Sequence, residues 1–190
     1  ADVNQVEMPD AFLLTGNVRV NHDGVVMTCN KAYYFQKENY IKAFGNVQMV
    51  QGDTLFLNSK YAEYNGNVKK AYASGDAVMS SPDATLETEI INFDRNTQEV
   101  YYDTSGIITN KDNTLKSNSG KYYVNHKKFQ FLTAVTITNP TYVIKSNHLD
   151  YFSNSGHSYL LGPSTITSKA TYIYTEKGFH DTKKNLAYFI

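Results

Sequence analysis

The chain has 190 residues, enough for one sizeable core or two small ones, with 18 Lys plus Arg against 18 Asp plus Glu. A formal net charge of zero lacks the basic excess of a protein built to grip nucleic acid, so no nucleic-acid partner is expected. Cys29 is the single cysteine, which excludes an intrachain disulfide and a cysteine-based zinc site, and no apolar run reaches the ~18 residues of a membrane helix.

In chain order, residues 1–10, with Pro9, read as a lead-in. The start Ala1-Asp2-Val3 without Met fits either a mature end left by signal-peptide removal or a trimmed chain. Phe12 to Thr15 then runs into Gly16-Asn17-Val18-Arg19-Val20. Asp23-Gly24, Val25-Val26-Met27, Ala32-Tyr33-Tyr34 and Tyr40 to Phe44 complete this first unit. The clearest copy follows: Gly45-Asn46 before Val47 to Val50, Gly52-Asp53 before Thr54 to Leu57, Ala62-Glu63-Tyr64, Asn65-Gly66, and Lys70 to Ser74. Gly-Asn, Gly-Asp and Asn-Gly pairs between runs of β-formers predict hairpin turns, because Gly and Asn tolerate positive φ.

The marker glycine recurs at Gly16, Gly45, Gly75 and Gly106, in steps of 29, 30 and 31, and weaker starts follow at Ala134 and Gly162. Ser81 to Glu89 carries a Pro and acids that suit a helix start, yet Ile90-Ile91-Asn92-Phe93 stands where other units have a strand, so strand is expected there. Asn125-His126-Lys127, Asn139-Pro140 and Ser153 to Gly156 read as turns among the later strands. The chain stops within a strand pattern at Ile190, which implies either following sequence or an exposed edge.

A period near 30 marks a repeat architecture, in which a unit buries its apolar face only by stacking on its neighbours. Within each unit the apolar period is two, and the i, i+3, i+4, i+7 pattern of helical repeats is lacking. The expected fold is therefore all-β, built from antiparallel strands in one domain spanning 1–190. Alternation points Val18, Val20, Val25, Met27, Val47, Met49, Leu55, Leu57, Ala62 and Tyr64 inward, with Ile91, Phe93, Ile107, Leu115, Ile137, Ile144 and Leu149 added from the less regular copies. These are either ordinary sandwich core or the lining of an apolar binding face. A one-residue slip would send all of them to the opposite face.

Catalytic patterns are lacking. His22, His126, His148, His157 and His180 are scattered, without HExxH or His-x-His, and neither a G-x-S-x-G elbow nor a Walker loop is present. Asp83, Glu87 and Glu89 read as a solvated strand face. No enzyme activity, metal or cofactor is expected.

The wording G-N-V-x-V, G-D-x-L-x-L, A-x-Y, best in Gly45 to Ala73 and next best in Gly16 to Ala43, resembles the OstA-like repeat. This is the repeat of the LptA and LptC type of lipopolysaccharide-transport proteins and of the N-terminal domain of LptD. Ser59-Lys60 departs from an Ala-Asp common in that family. The resemblance implies a V-shaped β-jellyroll, open at both ends, in the periplasm. It implies lipopolysaccharide, through the acyl chains of its lipid A, as ligand of the inward residues. It further implies inner-membrane LptC-like and outer-membrane LptD-like partners joined by edge-strand addition, with end-to-end homo-oligomers as a further association. The paired lysines Lys69-Lys70, Lys127-Lys128 and Lys183-Lys184 would then meet lipid phosphates, or else are solvated turn residues. Two other readings fit the residues: a polysaccharide-binding or polysaccharide-cleaving β-repeat protein with tyrosine platforms, and a structural surface or assembly module.

Overall fold

The computed structural model describes residues 2–4, as backbone path, and 10–181, 183, 184 and 186–190. Contacts group the chain into two compact units, Ala1–Pro82 with Glu89–Glu99, and Asp83–Thr88 with Val100–Ile190.

The first unit is a run of antiparallel strands, each paired with the next: β1 (Asp2–Asn4), β2 (Phe12–His22), β3 (Val25–Phe35), β4 (Tyr40–Gln51), β5 (Leu55–Asn65) and β6 (Lys70–Ser80). It also holds the second half of β7 (Thr85–Asp94), so the stretch expected as strand is strand from Thr85 on, with residues 81–84 outside it. Asp23-Gly24 turns with two successive positive φ values, 47° and 79°, as a tight hairpin requires. Thr54 N–H donates to the Gln51 carbonyl at 3.3 Å across the Gly52 turn.

The marker pairs behave differently from the turns expected there. Gly16-Asn17, Gly45-Asn46 and Gly75-Asp76 lie inside β2, β4 and β6, with φ of 66° and 41°, 72° and 47°, and 78° and 50°. Pairing slips by one residue between Thr15 and Val18 and between Phe44 and Val47, then resumes with the same partner. These are β-bulges. Tolerance of positive φ serves a bulge as well as a reversal, and here it bends a long strand instead of ending it.

Each bend divides the inner face into rows. On one side Val20, Met27, Met49, Leu57 and Met79 stand in register across five strands, and on the other Leu14, Ala32, Ala43, Ala62 and Ala73 do so. Met27, Met49, Leu57 and Met79, and the four alanines, are at most 4% exposed. Large side chains on one arm and alanines on the other are the interdigitation that dense packing asks for.

The second unit contains the first part of β7 (Thr85 to Thr88), then β8 (Glu99–Tyr102) from Val100 on, β9 (Gly106–Asn110), β10 (Asn113–Ser117), β11 (Ser119–Tyr123) and a 3-10 turn at Val124–His126. β12 (Lys128–Thr138), β13 (Tyr142–Phe152), β14 (His157–Leu160), β15 (Ser164–Ser168), β16 (Tyr172–Thr175), β17 (Gly178–Asp181) and β18 (Leu186–Phe189) follow. The long strands β12 and β13 are each flanked by two short ones, β10 and β11 on β12, and β14 and β15 on β13. β12 carries the same bend at Thr133-Ala134, with φ of 60° and 51° and no glycine. One inner row runs Leu86, Ile108, Leu115, Ile137, Ile144, Ile166 and Ile173 across seven strands.

That row corrects one expectation. Ile107 is 40% exposed and faces outward, while Ile108 is sealed at 0%. Gly106 is not a bulge residue but the start of β9, and it faces inward beneath Tyr102, whose ring would stand 2.5 Å from a Cβ placed there. Alternation from an inward Gly106 puts residue 108 inside and 107 outside.

Candidate functional site

In the first unit, Val18, Val25, Met27, Val47, Met49, Leu55, Leu57, Ala62, Tyr64, Ile91 and Phe93 are buried, and Val20 is half-buried. Leu115, Ile137, Ile144 and Leu149 are buried in the second unit. The inner face also holds residues that sequence reading passed over: Ala32, Ile41, Ala43, Ala73, Ala77 and Met79 in the first unit, and Leu86, Ile108, Phe129 and Phe131 in the second. A signal for two of them was present. Ala77 and Ile108 stand two residues after their marker glycines, as Val18 and Val47 do.

A polar network closes the hairpin ends over the inner face of the first unit. Arg95, in the turn after β7, donates through Nη1 to the Tyr64 hydroxyl at 2.7 Å, through Nη2 to the Asp23 carbonyl at 2.8 Å and through Nε to Gln51 Oε1 at 3.2 Å. Three segments are thereby tied to one planar cation, whose fixed fork of donors suits such a junction. His22 Nδ1 meets the Tyr64 hydroxyl at 3.1 Å, and Gln51 Nε2 donates to Gln98 Oε1 at 2.6 Å. Lys69 Nζ lies 2.8 Å from Asp23 Oδ2, and this hydrogen bond holds the Asp23 carboxyl below its ordinary value of 3.8. Two members, Tyr64 and His22, also line a cavity of about 310 Å³ with Leu14, Val20, Tyr34 and Ile41, and with Arg19, Asn21, Asn39 and Tyr40 at its polar side.

The second unit has its own apolar cavity of about 550 Å³, walled by Ile166, Ile173, Ala187 and Phe189 and by Tyr142 and His180. Burial pushes the Tyr142 phenol up to about 12.

The outer face of the first unit is aromatic. Tyr33, Phe44, Tyr61 and Tyr72 make successive ring contacts across β3 to β6, with centroids 5.9, 5.0 and 6.3 Å apart. Glu63 accepts hydrogen bonds from the Tyr40 and Tyr61 hydroxyls, with Lys42 Nζ 3.9 Å away. Burial raises both phenols, and the carboxylate they serve raises them further. The rings meet edge-on or tilted, an arrangement that satisfies them against one another and leaves them poor flat platforms.

The OstA-like protein family matches residues 1–147. The chain belongs to the OstA-like family. No curated protein matches it. Among solved structures, this OstA-like chain is similar to LptH of Pseudomonas aeruginosa, described as the LptA homologous periplasmic component of the conserved lipopolysaccharide transport device. The TM-score is 0.51, with 12% identity, over 57% of this chain and 82% of LptH. The fold is thus the antiparallel β-jellyroll of LptA-like proteins. In this OstA-like chain the marker glycines Gly16, Gly45 and Gly75 are bend residues, while Gly106 makes room for a ring.

Proposed function

We propose that the inner rows bind the acyl chains of lipopolysaccharide and that the protein carries this lipid through the periplasm, toward the outer membrane, as part of a protein bridge. The observation that carries the reading is the set of uninterrupted apolar rows, Val20 to Met79 in the first unit and Leu86 to Ile173 in the second, in a chain of the OstA-like family. Acyl chains need a continuous apolar surface and no directional chemistry, and each buried methylene contributes about 0.8 kcal/mol. The place of LptH in a lipopolysaccharide transport device supports the same ligand. LptC-like and LptD-like proteins are the partners this role calls for, joined through unpaired strand edges. The role is that of a carrier and uses no catalytic group.

The test is a photo-crosslinking amino acid at Leu57, with one at the adjacent Asn58 as control, each exposed to lipopolysaccharide. Leu57 is 4% exposed on the inner face, and Asn58 is exposed on the other. Adducts at Leu57 and none at Asn58 are expected. Labelling at neither position would remove the lipid reading.

A further inference from the structure

The 310 Å³ cavity of the first unit lies at an open strand edge. β1 pairs with β2 only at Leu13, Leu14 and Thr15, so the half of β2 from Val18 to His22 is bonded to β3 on one side and to no described strand on the other. Leu14 comes from one arm of the bent sheet, and Val20 and His22 from the other, so the cavity sits at the lateral mouth between the two arms. Its apolar wall, Leu14, Val20, Tyr34 and Ile41, continues into the inner rows that contain Val20 and Leu14. A volume of about 310 Å³ is at the small end for ligand pockets, room for one chain and not for several.

Arg19 lines the same mouth, is exposed, and has neither a hydrogen bond nor an ion pair with any described residue. Asp23 is engaged with Lys69 at 2.8 Å and Asp10 with Lys37 at 3.4 Å. Arg95, one hydrogen bond behind Tyr64, is likewise bonded only to neutral acceptors. The residues that line the mouth include no carboxylate, and Arg19 presents its charge there with none of the described ones bonded to it. An apolar slot ending at a guanidinium paired with no described residue matches an amphiphile with an anionic oxygen-rich head, because guanidinium forms strong paired bonds with phosphate.

We propose that the open edge of β2 is a lateral entrance through which one acyl chain of a phosphate-bearing lipid passes between the arms, with its phosphate held by Arg19. This rests on the reading of the inner face as an acyl-chain binder.

The experiment titrates the full chain, below micelle concentration, with myristoyl lysophosphatidic acid, myristoyl lysophosphatidylcholine and inorganic phosphate, by calorimetry. The phosphomonoester lipid should bind about 10-fold more tightly than the choline lipid, as one charge-assisted contact allows. Arg19→Gln should erase that preference and Arg19→Lys should keep most of it. Val20→Trp, which fills the slot, should weaken both lipids. Arg19 is exposed and bonded to no described residue, so its variants should fold, and the urea midpoint checks this. An unchanged preference in Arg19→Gln overturns the proposal, as does lysolipid binding that Val20→Trp leaves intact. Absence of lysolipid binding, or inorganic phosphate binding as tightly as the lysophosphatidic acid, overturns it too. The Leu57 crosslink separates the two readings. If wild-type Leu57 labels with lipopolysaccharide while Arg19 is without effect, the groove stands and the entrance falls; if Leu57 does not label, the groove reading fails by itself.

Discussion

Arg95 shows how much one residue holds in place. It is half-buried and its guanidinium bonds three groups from three segments. Arg95→Ala leaves Tyr64, Gln51 and the Asp23 carbonyl short of a donor, and should lower stability by about 2–3 kcal/mol, seen as a fall in the urea midpoint at constant m. Arg95→Lys should recover less than half, since an ammonium cannot span three acceptors. Glu63 makes a pH-dependent contribution. Its partial burial opposes ionisation, but the Tyr40 and Tyr61 hydrogen bonds, with Lys42, outweigh this and hold its pKa below the ordinary 4.5. A carboxyl depressed in the folded state contributes stability that is complete above its unfolded pKa and lost as pH falls through the folded one. The stability gap between wild type and Glu63→Gln should therefore be constant at neutral pH and narrow below about pH 4.5, by denaturation at a series of pH values. A gap that widened with acid would refute the assignment. Arg95 did not stand out in the sequence, because a hydrogen bond between turns 72 residues apart leaves no local pattern; Glu63 did not, because its pairing with Tyr40 on the neighbouring strand depends on register.

At the scale of the strand, the period was legible and its meaning was not. Gly16-Asn17 and Asp23-Gly24 are the same chemistry, positive φ at adjacent small polar residues, yet one bends a strand and the other reverses it. Which occurs is decided by whether pairing resumes with the same neighbour, and that is a tertiary fact. Thr133-Ala134 bends β12 without either favoured residue, so tertiary pairing there overrides local preference. The marker glycines consequently have two distinct duties, and alanine substitution should separate them. At Gly16 a Cβ meets nothing within 4 Å, so Gly16→Ala bears only the positive-φ strain, about 1 kcal/mol. At Gly106 a Cβ meets the buried Tyr102 ring at 2.5 Å and Leu86 Cδ1 at 2.9 Å, so Gly106→Ala should cost about 3 kcal/mol. Equal losses by thermal or urea denaturation would mean that Tyr102 and Leu86 yield to the added methyl, contrary to the tight contacts at Gly106.

At the scale of the whole molecule, the alternation that marked the inner face could not reveal its state, which depends on how completely side chains cover one another. The division into two compact units was equally invisible, because the repeat runs through both without a linker. In the first unit the inner rows beyond Val20 and Leu14 are sealed, so under the proposed reading acyl chains would pass beyond that mouth only when the arms part, drawing on a minor open population. Cys29 reports on that opening. It is the only thiol in the chain, 5% exposed, opposite Val18 in the register, and burial raises its pKa. The thiolate is the reacting form, so labelling by a disulfide reagent at pH 8 requires exposure first and should be far slower than for the urea-unfolded chain. Arg95→Ala, which loosens the hairpin ends, should speed labelling, and saturating lipopolysaccharide should slow it as acyl chains occupy the rows beside Met27. Labelling at the unfolded rate without lipid would mean that the face is already open. A rate unmoved by lipid, in a sample where Leu57 crosslinks, would confine the chains to the Leu57 end of the row and leave the bend unoccupied.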